Sequence, residues 1–279
     1  MTKKHYGVVG HPIGHTLSPF IHTRLMKLSG IDGEYGVYHI TPEELDTEFP
    51  KLLVELDGMN ITIPYKQAVM PFLDELDDTA RLYGSVNTIS VTKDGTKGYT
   101  TDGIGFFDAV KNAGIPIGES VTVAGCGGVG RVFVNSCLAN GAKTINILEQ
   151  KNFIPNAISF ARSINERFGE GTAKVFEASA FDGRSDLLIN ASPVGMYPNT
   201  DACVVGDDVI EKADYVFDAV YNPSETLLVM KARAMGKPAI TGMTMLVYQA
   251  AAAQTIWNGI HFDPEDIIKL ADDCYKNIK

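Results

Sequence analysis

A glycine-rich turn in the middle of the chain constrains the fold more than any other feature. Residues 121–131 read VTVAGCGGVGR, a short apolar strand followed by glycines and the start of a helix-forming segment. Gly125 permits a tight turn, Gly127 lets backbone N–H groups approach a pyrophosphate, and Gly130 lets a helix pack close to the strand. A second strand over Lys143–Leu148 would complete a βαβ unit. The pattern favours a dinucleotide-binding turn over a purely structural one.

The rest of the chain alternates between strand-like and helix-like segments, which predicts parallel sheets built from βαβ units. Further strands are predicted over Tyr6–Val9, Tyr35–His39, Gly58–Thr62, Val86–Val91, Lys174–Phe176, Leu187–Asn190, Tyr215–Asp218 and Pro238–Ile240. Helices are predicted over Pro19–Ser29, Glu43–Val54, Asp102–Asn112, Arg131–Asn140 and Met243–Trp257, in pieces across Gln67–Leu82, and once more around Ile267–Ala271.

The position of the glycine turn indicates two domains. The chain has 279 residues, enough for two domains that each bury a core, and a long α/β stretch precedes the turn. We expect an α/β fold in which residues 1–102 and 243–279 form a substrate-binding and catalytic domain. Residues 103–242 would form a doubly wound dinucleotide-binding domain of the Rossmann type, after which the C-terminal helices return to the first domain.

Composition excludes several classes of protein. The formal net charge of −10, without clustered cations, argues against a nucleic-acid partner. The four cysteines show neither a CxxC pair nor metal-ligand spacing, so we expect reduced thiols, no metal site and a cytoplasmic protein. No run of 18 apolar residues occurs, and the N-terminal residues lack the apolar stretch of a signal peptide. We therefore expect no membrane partner.

Polar residues follow several predicted strands, where open α/β sheets bind their ligands. Thr16 and Ser18 come just before a helix, so their hydroxyls and the helix N–H groups could hold a carboxylate. Ser18, followed by a proline, would also suit a helix N-cap, and spacing alone does not separate the two interpretations.

The strand over Gly58–Thr62 and the residues after it carry a second polar group. Alternation predicts that Asn60 and Thr62 share one side of the strand, opposite Met59, Ile61 and Ile63. Further along the chain, two charged residues have ordinary structural explanations. Lys66 would be typical of a solvated surface, and Asp102 of the N-cap of the helix that follows it.

Taken together, these segments resemble the shikimate dehydrogenase family, including its quinate/shikimate dehydrogenase members. Eight motifs carry the resemblance, in the same order along the chain. They are HPIGHTLSP at 11–19, GMNITIPYK at 58–66, GSVNT at 84–88, GYTTDGIG at 98–105, AGCGGVGR at 124–131, INASPVGM at 189–196, DAVYNPSET at 218–226 and GMTMLVYQA at 242–250.

The resemblance implies NAD(P)-linked hydride transfer between shikimate and 3-dehydroshikimate, a reaction of the shikimate pathway. Lys66 and Asp102 take the places of the catalytic pair. Asn60, Thr62, Asn87 and Gln249 would bind the ring hydroxyls of the substrate, and Thr16, Ser18 and Tyr221 its carboxylate. The cofactor-binding positions would be Gly125, Gly127, Gly128, Val129, Gly130, Glu149, Ala191, Ser192, Met196, Gly242 and Met243. No histidine is needed for the chemistry, so His11 and His15 are expected to be structural.

Three positions depart from the family pattern. Thr16 replaces the usual serine, which keeps the hydroxyl but leaves the choice between shikimate and quinate open. Thr100 replaces the usual asparagine, which we interpret as a local exchange of hydrogen bonds. Glu149, followed by Gln150 and Lys151, stands where NADP-using members carry an arginine clamp for the 2′-phosphate. A carboxylate repels that phosphate and accepts hydrogen bonds from ribose hydroxyls, so we expect NAD to be preferred over NADP.

Two other functions remain open. An NAD-dependent quinate dehydrogenase would keep the fold and change the substrate. A non-catalytic dinucleotide-binding sensor would require loss of the chemical pair, yet Lys66 and Asp102 are both present. The only other partner that we expect is a small-molecule substrate, and the chain could act as a monomer or a homodimer.

Overall fold

The structure, a computed structural model, describes residues 3–14 and 16–278. His15, for which a structural role was expected, lies outside the described residues. The chain divides into two compact units, Met1–Gly105 with Leu246–Lys279, and Phe106–Met245. Both boundaries lie three residues later than the sequence-based ones, and each falls inside a helix.

The first unit contains six strands and the helices around them. In chain order these are β1 (Lys4–Gly10), α1 (Ser18–Leu28), β2 (Gly33–His39), α2 (Leu45–Glu55), β3 (Gly58–Ile61), β4 (Glu75–Leu76), α3 (Asp78–Tyr83), β5 (Thr88–Thr92), β6 (Gly95–Tyr99) and α4 (Asp102–Asn112). Short 3₁₀ turns cover Pro42–Glu44 and Met70–Phe72. α4 begins in this unit and continues into the second.

The sheet of the first unit has the order β2-β1-β3-β5-β6-β4 and is mixed. β1 pairs in parallel with β2 and β3, whereas β5 runs antiparallel to β3 and β6. The expectation of uniformly parallel sheets is therefore wrong for this unit. Asp94-Gly95 is a typical hairpin signal and Gly95 has φ +124°. β6 was missed because its GTKGY sequence offers few strand-forming side chains.

The second unit is built around a parallel six-stranded sheet. Its elements are β7 (Ser120–Ala124), α5 (Gly128–Ala139), β8 (Thr144–Glu149), α6 (Ile154–Phe168), β9 (Ala173–Glu177), β10 (Ser185–Asn190), α7 (Asp207–Glu211), β11 (Ala213–Asp218), α8 (Leu227–Ala234) and β12 (Ala239–Thr241). Short 3₁₀ turns cover Lys151–Phe153 and Ala178–Ala180.

The order of this second sheet is β12-β11-β10-β7-β8-β9, with every neighbouring pair parallel. It is the strand order of the doubly wound dinucleotide-binding fold, in which the direction of winding switches between β7 and β10. The glycine turn follows β7, so it lies at the switch point, where such sheets bind their ligands. The predicted fold class is confirmed.

Two helices complete the chain, α9 (Met243–Asn258) and α10 (Pro264–Tyr275). α9 begins in the second unit and continues into the first, and α10 belongs to the first. α10 buries Ile267, Leu270, Ala271 and Cys274, an i, i+3, i+4, i+7 stripe that explains why this segment is a helix. Within residues 3–14 and 16–278, no helix is long and apolar enough to cross a membrane.

Candidate active site

Lys66 and Asp102 form an ion pair in the first unit. The Lys66 Nζ atom lies 2.6 Å from Asp102 Oδ2, and their side chains are 28% and 10% exposed. Lys66 lies in the turns after β3, and Asp102 is the first residue of α4. The Asp102 carboxylate therefore pairs with a side chain. The alternative interpretation of Asp102 as an ordinary helix N-cap is wrong. The ammonium keeps the larger exposed fraction, so a ligand can reach it.

Asn87 holds the second oxygen of the same carboxylate. Its Nδ2 group donates to Asp102 Oδ1 at 2.8 Å. Its Oδ1 atom accepts the backbone N–H of Thr101 at 2.8 Å. Because the two ends of the amide have different partners, the orientation of Asn87 is fixed, and with it the position of Asp102. Both carboxylate oxygens are thus engaged by side chains that the sequence analysis selected.

Gln249 and Thr101 extend this polar cluster. Gln249 Oε1 accepts from Asn87 Nδ2 at 3.4 Å and from the Thr101 hydroxyl at 3.3 Å, and its Nε2 donates to Leu246 O. Thr101 is fully buried, and sequence reasoning did not select it. The neighbouring Thr100 donates its hydroxyl to the carbonyl oxygen of Ser85, which agrees with the local hydrogen-bond exchange expected there.

Asn60 joins the cluster from β3. Its Nδ2 group donates to the carbonyl oxygen of Asn87 at 3.2 Å and to Thr88 Oγ1 at 3.1 Å, and its Oδ1 atom accepts from Tyr35 OH at 2.6 Å. Sequence reasoning missed both Thr88 and Tyr35. β3 ends at Ile61, one residue earlier than expected.

The residues after β3 do not follow the predicted alternation. Ile63 is 72% exposed, so the expectation of an apolar side formed by Met59, Ile61 and Ile63 is wrong for Ile63. The strand has ended before this residue, so the alternation of strand side chains no longer applies. Thr62 is half-buried. A Cβ atom on Gly10 would stand 2.4 Å from the methyl carbon of Thr62. Gly10 must therefore remain without a side chain.

The two hydroxyls before α1 interact with each other. Thr16 Oγ1 donates to Ser18 Oγ at 3.1 Å and accepts the backbone N–H of Ser18 at 3.2 Å. The N-cap residue of α1 is Leu17, and Ser18 already belongs to the helix. The alternative in which Ser18 caps this helix is therefore wrong.

The glycine turn of the second unit has the geometry that its sequence predicts. Gly125 has φ +101°, a conformation that side chains disfavour. A Cβ atom on Gly130 would stand 2.1 Å from the carbonyl oxygen of Gly125, so α5 can pack this closely only with glycine there. A Cβ atom on Gly127 would meet open space, as a cradle for a ligand requires. α5 begins at Gly128, with Val129 next, three residues earlier than predicted.

Glu149 ends β8 and turns its carboxylate toward this glycine turn. Oε1 accepts the backbone N–H of Cys126 at 2.6 Å, and Oε2 accepts that of Gln150 at 3.2 Å. Lys151 is exposed at the start of the following 3₁₀ turn. A negative charge therefore stands at the end of the second strand of the sheet. The turn and the start of α5 together fit a dinucleotide.

A buried network around Asp218 shapes the other loops of the second unit. Asp218 Oδ1 accepts from Asn190 Nδ2 at 2.9 Å and from the Val220 N–H at 3.0 Å, and Oδ2 accepts from the Thr226 hydroxyl at 2.6 Å. Asn190 Oδ1 in turn accepts from the hydroxyl of Ser192 at 2.7 Å. Burial raises the pKa of Asp218 to about 6, against the effect of these three donors.

The remaining candidate residues of the second unit lie on or beside these loops. Ala191 is buried, and Met196 is 45% exposed. Gly242 needs its lack of a side chain, because a Cβ atom would stand 2.2 Å from the carbonyl oxygen of Ala219. Met243 is fully buried. Tyr221 is half-buried in the loop after β11, and burial raises the pKa of its hydroxyl.

Comparison with known proteins agrees with these features. The substrate-binding-domain profile of shikimate dehydrogenase matches residues 8–89. The shikimate dehydrogenase (NADP(+)) of Caldanaerobacter subterraneus subsp. tengcongensis is 34% identical, with 95% of each chain covered. The chain belongs to the shikimate dehydrogenase family. The expected family resemblance is confirmed.

Two solved structures of the family are similar to the whole chain. One is a shikimate dehydrogenase in complex with NADP+, with a TM-score of 0.88, 32% identity, and 98% of this chain and 96% of that chain covered. Another is the shikimate 5-dehydrogenase of Listeria monocytogenes in complex with shikimate and NAD, with a TM-score of 0.87, 28% identity and 96% of each chain covered.

Proposed function

We propose that this protein is an oxidoreductase that interconverts shikimate and 3-dehydroshikimate by hydride transfer with a nicotinamide dinucleotide. The observation that carries the proposal is the ion pair of Lys66 and Asp102, 2.6 Å apart and held by Asn87, in a chain that belongs to the shikimate dehydrogenase family. The dinucleotide, when bound, accepts or supplies the hydride.

Lys66 would act at the oxygen of the reacting carbon. Reduction of a ketone develops negative charge on this oxygen, and the Nζ ammonium can stabilise the charge and donate a proton. Asp102 Oδ2 orients the ammonium and, through its second oxygen, depends on Asn87. A lysine suits this role because its ammonium is a compact charge that can transfer a proton, whereas the guanidinium of arginine does not readily lose one.

The substrate would be held by the polar residues around this pair. Amide and hydroxyl groups of Asn60, Thr62, Asn87 and Gln249 match the ring hydroxyls, and the hydroxyls of Thr16, Ser18 and Tyr221 match the carboxylate. The hydrogen bonds that join Asn60, Asn87 and Gln249 support a single site for the first group. Residues 1–102 with 243–279 would thus serve the substrate, and residues 103–242 the cofactor.

The dinucleotide would be held by the second unit. Gly125, Gly127, Gly128, Val129 and Gly130 would receive the pyrophosphate at the start of α5, where N–H groups and the helix dipole favour an anion. The adenosine ribose would contact Glu149. The nicotinamide end would contact the remaining candidates, Ala191, Ser192, Met196, Gly242 and Met243.

A lysine substitution tests the proposed chemistry. Lys66→Met keeps most of the side-chain volume and removes the charge, so we expect turnover of shikimate to fall by about a thousandfold. Binding of NAD or NADP should be unchanged. Lys4→Met is a matched control, because Lys4 forms a comparable ion pair with Asp57 at 2.7 Å outside the site. Near-normal turnover by Lys66→Met would remove this lysine from the mechanism.

We further propose that this chain prefers NAD, unlike the curated relatives, which are named for NADP(+). The support is Glu149, whose carboxylate at the glycine turn would repel a 2′-phosphate and accept hydrogen bonds from ribose hydroxyls. Steady-state kinetics with both cofactors tests the preference. Glu149→Gln should raise kcat/KM for NADP by about tenfold, since one charge–charge repulsion of about 1.4 kcal/mol is removed. A clear NADP preference of the unsubstituted protein would contradict the proposal.

Quinate is the second candidate substrate, because Thr16 adds a methyl group to the proposed carboxylate site. Its hydroxyl is already engaged with Ser18, which limits how the methyl group can turn. An absorbance assay at alkaline pH, with shikimate and then quinate and with each cofactor, separates the two substrates. Oxidation of quinate with higher kcat/KM than shikimate would reverse the assignment.

A further inference from the structure

Four rings lie against one another on one face of the sheet of the first unit. Tyr35 stacks on His22, with centroids 4.2 Å apart and planes at 5°, and Tyr6 stacks on Trp257 at 4.6 Å. The ring centroids of His22 and Trp257 are 5.4 Å apart, and this contact joins the two pairs. Tyr6 and Tyr35 are register partners on β1 and β2, so both project from the same face. We call these four residues the ring column.

Asn60 lies on the same face and meets the end of the ring column. Gly58 is the register partner of Tyr6, and Asn60 follows two residues later on β3, so both face the column. Asn60 Nδ2 points at the carbonyl oxygen of Asn87, which can only accept a hydrogen bond. Asn60 Oδ1 must therefore be the atom that faces Tyr35, and the Tyr35 hydroxyl is the donor at 2.6 Å.

Two amides beside the ring column fix the tautomer of His22. Asn258 Nδ2 donates to Gln254 Oε1 at 3.0 Å, so the Gln254 amide nitrogen faces His22 Nδ1, also at 3.0 Å. The network leaves the His22 proton on Nε2. Burial lowers the pKa of His22 to about 3, and a hydrogen bond with Asn60 opposes this effect. The imidazole under Tyr35 is thus neutral at physiological pH, and the stack does not change with protonation there.

Tyr35 also interacts with Ser18. Burial raises the pKa of the Tyr35 hydroxyl well above its ordinary value, and a hydrogen bond with Ser18 opposes this effect. The Tyr35 hydroxyl thus donates to Asn60 at 2.6 Å and interacts with Ser18. These two residues come from different motifs, and both belong to the proposed substrate site.

We propose that Tyr35 is a positioning residue, whose hydroxyl, held by the ring column, fixes the amide of Asn60 for a substrate hydroxyl. The proposal deepens the proposed function and rests on it for the identity of the substrate. A substrate hydroxyl then meets Asn60 in one orientation only, with the amide nitrogen directed toward Asn87 and Thr88. Tyr35 is part of the first unit and needs no residue of the second.

Two tyrosine substitutions test the role of the hydroxyl. Tyr35→Phe keeps the ring and its stacking and removes the donor to Asn60. Tyr6→Phe is a matched control, because Tyr6 OH donates to Asn258 Oδ1 at 2.9 Å and its ring is also stacked. We expect Tyr35→Phe to raise KM for shikimate by about fivefold to tenfold, with kcat within about twofold, as for loss of one hydrogen bond. Tyr6→Phe should leave KM within about twofold.

A second measurement does not depend on turnover. The side-chain amide signals of Asn60 in a ¹H–¹⁵N spectrum, assigned by their loss in Asn60→Asp, should shift or broaden in Tyr35→Phe and stay in place in Tyr6→Phe. Unchanged amide signals in Tyr35→Phe, or equal rises in KM for the two variants, would overturn the positioning role. If the unsubstituted protein does not oxidise shikimate, the proposed function fails, and the amide signals alone decide whether Tyr35 positions Asn60.

Discussion

At the scale of single residues, the resemblance to the family motifs identified side chains better than it identified their partners. Lys66 and Asp102 belong to two different motifs and are 36 positions apart, and the structure brings their charged groups together. Thr101 and Tyr35 were missed for a physical reason. The sequence does not show which of two adjacent buried threonines contacts Asn87 and Gln249. It also does not show that a tyrosine on β2 reaches across β1 to Asn60.

Removal of the Thr101 hydroxyl tests its part in the site. Thr101→Val keeps the shape of the side chain and removes the hydroxyl that contacts Asn87 and Gln249. We expect kcat/KM for shikimate to fall by about threefold to tenfold, the effect of one lost hydrogen bond of about 1 kcal/mol. Thr122→Val is a matched control, since Thr122 is equally buried but lies in β7 of the second unit. Equal effects of both substitutions would show that Thr101 is merely structural.

At the scale of elements, strongly patterned segments were predicted and weakly patterned ones were not. The β7–α5–β8 unit follows from the glycine spacing. Gly125 has a positive φ, and Gly130 has a backbone contact too close for any side chain. α6 was missed although it buries Ala157, Phe160, Ala161 and Ile164 at helical spacing. Polar residues separate these four positions, so the segment has no continuous apolar run. A search for helical periodicity would still have identified the apolar face.

Two glycine substitutions separate packing from ligand binding in the turn. Gly130→Ala would force α5 away from the Gly125 carbonyl oxygen, so we expect the free energy of unfolding to fall by about 1–3 kcal/mol. Gly127→Ala meets open space, so stability should change by less than about 0.5 kcal/mol. Its methyl group would nevertheless stand where the pyrophosphate approaches, and we expect dinucleotide affinity to fall by about tenfold.

Denaturant unfolding and calorimetric titration with NAD provide the measurements. Dinucleotide affinity of Gly127→Ala equal to that of the unsubstituted protein would place the pyrophosphate elsewhere.

At the scale of the whole molecule, the division of the chain into two units could be predicted from the place of one motif in the chain. A dinucleotide turn at mid-chain leaves the N-terminal part for a second unit, and the parallel second sheet agrees with that inference. The antiparallel strands of the first sheet could not be foreseen from alternation, because a hairpin and a βαβ crossover both begin with a strand. The hairpin signal of Asp94 and Gly95 was the available clue.

The buried carboxyl of Asp218 gives the stability of the protein a pH dependence. Burial raises the pKa of Asp218 from its ordinary value of 3.8 to about 6, so the folded protein holds this proton more tightly than the unfolded chain does. The stabilising contribution is complete below about pH 4 and is lost as the pH rises through about 6. At about 1.4 kcal/mol per pH unit, the loss is at most about 3 kcal/mol.

Asp218→Asn removes this dependence and keeps the shape of the side chain. Between pH 4 and pH 6 we expect the free energy of unfolding of the variant to rise relative to that of the unsubstituted protein. Urea unfolding at several pH values measures the difference. Parallel pH profiles for the two proteins would contradict the assignment.

The indole of Trp257 lies over Gly58, where a Cβ atom would stand 2.5 Å from its Nε1, and it donates to the carbonyl oxygen of Ile89. It is the one tryptophan of the chain. Fluorescence excited at 295 nm therefore comes from an indole in the first unit, and it reports the unfolding of that unit separately from the second unit. Comparison of the emission transition with the calorimetric one would reveal whether the two halves of this enzyme unfold together or in turn.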